Sequence, residues 1–311
     1  MARQVAQTAS ANSSRVRGTF SISVRAPCVT NREMEEALEA RFGLTEVEIV
    51  DISRDEDEAA VRELGSAASF HMETTVRSGD IIGVSSWSAT LLGMVDAMHP
   101  VSGVKDVRVV QILGGGGDPA AEGHATHLVR RLTDLLHGEG TFLPAPSSVG
   151  SAGARDVLVQ DPFVARAMAL WDQLDVAFVG IGGQEPSGLL ASSGNVFSPD
   201  ELRIVREAGG VGDIGLRYLC ADGKPVETAL DDRVIGIELE QLKRVPRSIA
   251  VAGGPGKTEA IRAALVGGWI NCLVTDTYTA ERLLAQDGLA QDKTNGLEEE
   301  HVKTAMGVES A

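Results

Sequence analysis

Cysteine is scarce. Cys28, Cys220 and Cys272 stand far apart, odd in number and without a CxxC pair. That excludes a disulfide framework or a cysteine zinc site and fits a reducing, cytoplasmic setting. Positive charge is also short, with 28 Lys+Arg against 44 Asp+Glu for a net charge of −16. A surface this acidic repels phosphate backbones, so contact with DNA needs a local basic patch. No apolar run approaches the ~18 residues of a membrane-spanning helix, and no signal-type apolar stretch opens the chain, so no membrane partner is expected. The one close histidine pair, His124-Ala-Thr-His127, has no third ligand nearby and reads as a helix face rather than a metal site. Neither metal nor cofactor is expected.

What is present suffices for a sizeable core: 43% of the 311 residues are hydrophobic. Residues 1–16 are Ala/Ser/Gln-rich and aperiodic. Residues 1–27 carry Arg3, Arg15, Arg17 and Arg25 and no acid, so this tip is +4 and the remainder −20. Thr19–Val24 alternates as a half-buried strand does. Asn31–Phe42 is predicted helical, Val47–Val50 a strand and Asp55–Val76 a longer helix. From Asp80 a strand–loop–helix rhythm repeats. Ile81–Val84 precedes a helix near Thr90–Met98. Val107–Leu113 runs into four glycines and a helix to about His137, and Asp175–Ile181 again closes on glycines. Arg247–Ala252 leads through Gly253-Gly254-Pro255-Gly256 to a helix over Thr258–Leu265. Ile270–Val274 leads through Thr275-Asp276 to a helix over Thr279–Leu284. Short apolar strands alternating with amphipathic helices predict an α/β fold with a mostly parallel sheet covered on both faces. From about Ala285 the chain is polar and ends as a tail.

In such a sheet, ligands sit beyond the carboxyl ends of the strands, where helix N-termini offer free N–H groups and positive partial charge. Ser85-Ser86-Trp87-Ser88-Ala89-Thr90 supplies several donors at one such end, or an ordinary helix cap. Gly114–Gly117 permits close backbone approach but is no dinucleotide fingerprint, because Pro119 holds the third glycine's place. Gly180-Ile-Gly182 fails likewise at Glu185, and Gly256-Lys257-Thr258 fails as a Walker A motif at Val251. Lys257 can still place a point charge at the mouth of a helix, or be merely solvated. Asp213 and Asp276 could accept hydrogen bonds from sugar hydroxyls or serve as a general base, and Asp276 could equally cap the next helix.

These loops, in this order, resemble the SorC/DeoR-type sugar-binding regulators from about Val24 to Ala285. The likeness is carried by Gly83-Val-Ser-Ser-Trp-Ser-Ala-Thr-Leu91, Val110-Gln-Ile-Leu-Gly-Gly115, Leu143-Pro-Ala-Pro146 and Asp175-Val-Ala-Phe-Val-Gly-Ile-Gly182. It continues in Gly210-Val-Gly-Asp213, Arg233-Val-Ile-Gly-Ile237, Val251-Ala-Gly-Gly254 with Lys257, and Leu273-Val-Thr-Asp276. The resemblance implies a Rossmann-like fold of the kind shared with phosphosugar isomerases and CoA transferases, and a homo-oligomer, dimer or tetramer. It also implies a phosphorylated sugar or polyol as effector. By position, Ser88 and Thr90 would hold the phosphate with Lys257, in a loop that also contains Ser86 and Trp87. Gly114 and Gly115 would form the neighbouring wall, and Asp213 would take sugar hydroxyls, with Asp276 a further ligand candidate. Ala89, Leu92 and Leu113 stand where some relatives have a second hydroxyl, an amide and a Lys or Arg. Those departures argue against a bisphosphate and against Schiff-base capture, leaving a monophosphate or an unphosphorylated sugar.

Family members usually carry a helix-turn-helix ahead of the strand corresponding to Phe20–Val24. Fewer than twenty residues precede that strand here, too few for a three-helix reader of the major groove. The expected division is a basic N-terminal remnant over 1–18, a sugar-phosphate effector-binding domain over 19–287 and a polar tail over 288–311. Operator DNA would be reached only through a head outside this chain. The leading expectation is a non-enzymatic effector-binding domain of a transcriptional regulator. The alternatives are a phosphosugar isomerase using Asp213 or Asp276 as base, and a scaffold subunit that pairs with full-length relatives.

Overall fold

In the computed structural model, residues 29–285 are described, apart from Asp118 and Asn195. The strand expected at 19–24, the basic tip and the polar tail lie outside them. In chain order the elements are α1 (Val29–Phe42), β1 (Glu46–Val50), α2 (Asp57–Thr75), β2 (Ile81–Val84), α3 (Ala89–Ala97), β3 (Arg108–Gln111), α4 (Pro119–Leu135) and β4 (Glu139–Thr141). There follow α5 (Ala152–Val159), α6 (Pro162–Met168), β5 (Val176–Val179), α7 (Gly188–Ser192), α8 (Pro199–Glu207), β6 (Gly210–Ile214) and β7 (Arg217–Cys220). The chain continues with α9 (Leu239–Arg244), β8 (Arg247–Val251), α10 (Thr258–Val266), β9 (Cys272–Asp276) and α11 (Thr277–Ala285).

Seven strands form one parallel sheet in the order β1-β9-β8-β5-β2-β3-β4. Successive strand residues face opposite sides, and each side is buried under helices. Ile82, Val84, Val109, Val176, Phe178, Ile249, Val251 and Val274 pack with α2, α3 and α4. Val110, Ala177, Val179, Ala250 and Leu273 pack with α1, α6, α9, α10 and α11. Burial on both faces is why these strands read as unbroken apolar runs. All six expected strands that fall among the described residues belong to this sheet. One is displaced: pairing with β1, from Glu46↔Cys272 to Val50↔Asp276, carries β9 through Thr275 and Asp276. Helix α11 therefore starts at Thr277, two residues before its predicted start.

From β2 the chain winds outward through β3 and β4, then returns to the other side of β2 and winds through β5, β8 and β9. The reversal lies between β2 and β5, and a crevice opens there beyond their carboxyl ends, the place where open α/β sheets bind ligands. Between β5 and β8 the chain builds a lobe from α7, α8 and the antiparallel pair β6-β7. The lobe has its own apolar centre of Leu190, Phe197, Leu202, Val205, Leu216 and Tyr218, against which Trp87 and Leu113 also pack.

Candidate functional site

A cavity of about 660 Å³ occupies this crevice. Its walls are the loops after β2, β5 and β8, and its roof is the lobe. Each wall is shaped by local chemistry. After β2, Ser88 caps α3, its Oγ accepting the Leu91 N–H at 3.2 Å. The Ala89 and Thr90 amides, at the open end of the helix, have no intrahelical acceptor. Ser88 is half-buried and Thr90 buried, and both line the cavity. Trp87 lines it too, with its indole N–H donating to the Gly114 carbonyl at 2.9 Å.

After β5, Gly180 and Gly182 must be glycine for contact reasons. A Cβ on Gly180 would press on Ser88 Oγ at 2.8 Å, and one on Gly182 would strike the Asp213 carboxylate. Asp213 belongs to β6, and its backbone exchanges hydrogen bonds with Gly182, N–H to O in both directions, at 2.9 and 3.1 Å. The lobe is thereby stitched to the sheet at the cavity itself. After β8, a tight turn over Pro255–Lys257 delivers Lys257 to the mouth of α10.

Asp213 is buried, and its Oδ2 accepts the Leu216 N–H at 2.8 Å. Burial raises its pKa to about 6 against the weaker pull of that N–H and of Lys257. Lys257 is half-buried, and loss of hydration lowers its pKa while the negative charges of Asp57 and Asp213 oppose the fall. The cavity thus holds a cation facing carboxylates, hydroxyl groups and open helix amides.

Of the residues singled out in the sequence, Trp87, Ser88, Thr90, Asp213 and Lys257 meet at the cavity. The other four do not line it. Ser86 is buried, donating to the Leu113 carbonyl at 2.7 Å and accepting from Gln111 Nε2 at 2.8 Å. Gly114 lies against the backbone of Pro146 and Ser147, and Gly115 against Gln111 and Ala125. Asp276 is fully buried: Oδ1 caps α11 through the Thr279 N–H at 2.8 Å, while Oδ2 accepts the Gly254 N–H at 2.8 Å. It anchors the glycine turn that presents Lys257. Asp57, Glu185 and Glu259 also line the cavity and were not singled out. Asp57 was findable, since it opens the helix that follows β1 at the same end of the sheet. Among the described residues no group of acids, histidines and cysteines can hold a metal ion, and no helix is long and apolar enough to cross a membrane.

An open parallel sheet with a polar cleft at its switch point, roofed by an inserted lobe, defines a Rossmann-like small-ligand-binding domain. The comparisons narrow that class. Residues 26–285 match the sugar-binding domain family Sugar-bind. The "Deoxyribonucleoside regulator" of Bacillus subtilis is 30% identical over 268 residues, covering 86% of this chain and 84% of its own. The full-length sorbitol operon regulator SorC from Klebsiella pneumoniae superposes with a TM-score of 0.76 at 27% identity, covering 85% of this chain and 84% of that one. A transcriptional regulator from Streptococcus pneumoniae superposes with a TM-score of 0.75 at 27% identity, covering 83% of this chain and 98% of that one. The chain belongs to this sugar-binding domain family of SorC/DeoR-type regulators.

Proposed function

We infer that the chain is the effector-binding domain of a transcriptional regulator of carbohydrate metabolism, with a sugar or polyol, free or phosphorylated, as its effector. The observation that carries this reading is the convergence of Asp213 from the lobe and of Ser88, Thr90 and Lys257 from the sheet loops on one cavity. Asp213 suits hydroxyl groups. A phosphate, where present, would take the α3 amides, Ser88, Thr90 and Lys257. A ligand touching both sheet and lobe favours the arrangement that holds them together. Effector binding then becomes a population shift passed to subunit packing and to DNA binding supplied by a helix-turn-helix segment.

A thermal-shift screen with sugars and polyols, each tested free and phosphorylated, checks this. At 100 times its dissociation constant a ligand stabilises by ~2.7 kcal/mol. One or more compounds should raise the melting temperature of the wild type, and Lys257→Ala should blunt the response. A flat response across both series sinks the assignment.

A further inference from the structure

We propose that the cleft selects an uncharged polyhydroxy ligand, a free sugar or polyol, and that Asp57 sets this preference by answering the charge of Lys257. The inference rests on the sugar-site reading above and specifies the charge of its ligand.

Among the described residues lining the cavity, Lys257 is the sole cation and faces four carboxylates: Asp57, Glu185, Asp213 and Glu259. Glu185 is tied to Arg206 at 2.7 Å, outside the lining. The ammonium of Lys257 lies in the fields of both Asp57 and Asp213. A phosphate dianion entering here would gain one cation and meet two carboxylates already drawn toward it.

The helix ends add to this balance. Four helices, α2, α3, α7 and α10, begin at or beside the cleft, and two carry their own acids. Asp57 and Glu58 stand in the first turn of α2, and Glu259 in the first turn of α10. Those carboxylates neutralise the positive ends that would otherwise attract an anion. The other two, α3 and α7, have no acid in their first turns, and Ser88 Oγ and Ser187 Oγ already take the Leu91 and Leu190 N–H groups. First-turn acids are common helix stabilisers, but their field at the cavity is the same whatever placed them there.

A neutral polyol has the complementary chemistry. Its hydroxyls donate to Asp213 and Asp57 and accept from Lys257 and the α3 amides, and no net charge is buried. Asp213 keeps Oδ1 on the Gly182 side, while Oδ2 is held by Leu216.

The test is isothermal titration of the whole chain and of Asp57→Asn. The probes are glucose, fructose, ribose and sorbitol, each alongside its monophosphate, at low and high salt. Asp57 is exposed in the first turn of α2, and melting curves check that the variant is folded. In the wild type a neutral probe should bind at least about tenfold tighter than its phosphate ester, with little salt dependence. Asp57→Asn should move that ratio toward the phosphate by roughly tenfold or more, as expected when one nearby charge is removed. A wild type that prefers the phosphate ester overturns the proposal and leaves the sugar-site reading standing. A ratio unmoved by Asp57→Asn overturns the role of Asp57. If neither series binds, the sugar-site reading fails and this inference with it.

Discussion

At Asp213 two demands conflict. Binding hydroxyl groups calls for an ionised carboxylate, whereas burial penalises that charge, and burial wins to the extent of raising the pKa from 3.8 to about 6. The folded state therefore holds this proton more tightly than the unfolded chain does. The resulting contribution to stability is full below pH 3.8 and is lost as pH rises through about 6. A shift of this size amounts to about 3 kcal/mol at neutral pH. Asp213→Asn keeps an acceptor for the Leu216 N–H and removes the titration. Its stability should fall less than that of wild type between about pH 4 and 6, as urea titrations at several pH values would show. Parallel profiles would mean that Asp213 is hydrated in solution. The same variant should weaken ligand binding, because the destabilising carboxylate is the one that faces the cavity.

Pairs of elements show how contact overrides propensity. Helices α2 and α3 cross where Gly65 faces Gly93, and a Cβ on Gly65 would lie 2.9 Å from the Gly93 carbonyl carbon. Alanine at 65 gains about 1 kcal/mol of helix propensity, but forcing the helices apart costs about 1–3 kcal/mol. Gly65→Ala should therefore be destabilising by chemical denaturation, and a gain in stability would show that the crossing is looser than described. Elements differed too in how plainly the sequence announced them. β2 and β5 stand out because sheet burial on both faces fills them with apolar residues and glycine, and β3 and β8 because their buried residues are apolar apart from Gln111 and Ser248. β4 is Glu139-Gly-Thr141 at the sheet edge, and β6 is Gly210-Val-Gly-Asp-Ile214, so neither carries a strand pattern. Gly212 in β6 is demanded by the closeness of Ala260 and the Gly182 carbonyl, a tertiary reason that no local pattern records.

For the molecule as a whole, the lobe is what joins the sheet to the ligand, and Arg217 fixes it. Its guanidinium is 3% exposed and bonds Asp231 at 2.8 Å and Glu238 at 2.7 Å, with a further bond to the Asp231 carbonyl. Arg155 reaches the same Glu238 at 3.3 Å. Arg217→Ala removes the shared cation and should destabilise by about 3 kcal/mol, the low end for a broken buried pair because both acids are half exposed. An unchanged unfolding midpoint would show that the apolar centre alone holds the lobe. The site was legible in the sequence where a strand delivers it: Ser88, Thr90 and Lys257 follow β2 and β8 directly. Glu185 was not, because it comes to the cavity from a link into the lobe. That link has a consequence for how such a domain diversifies. The lobe leaves the sheet after β5 and returns before β8, two strands that are hydrogen-bonded neighbours. It is an insertion into a crossover: the two strands run parallel, so the chain leaves at the carboxyl end of β5 and α9 carries it back to the amino end of β8. A different lobe spliced between the same two strands would change the roof and its acids while leaving the seven-stranded frame intact, so one scaffold can acquire new tastes by exchanging a single cassette.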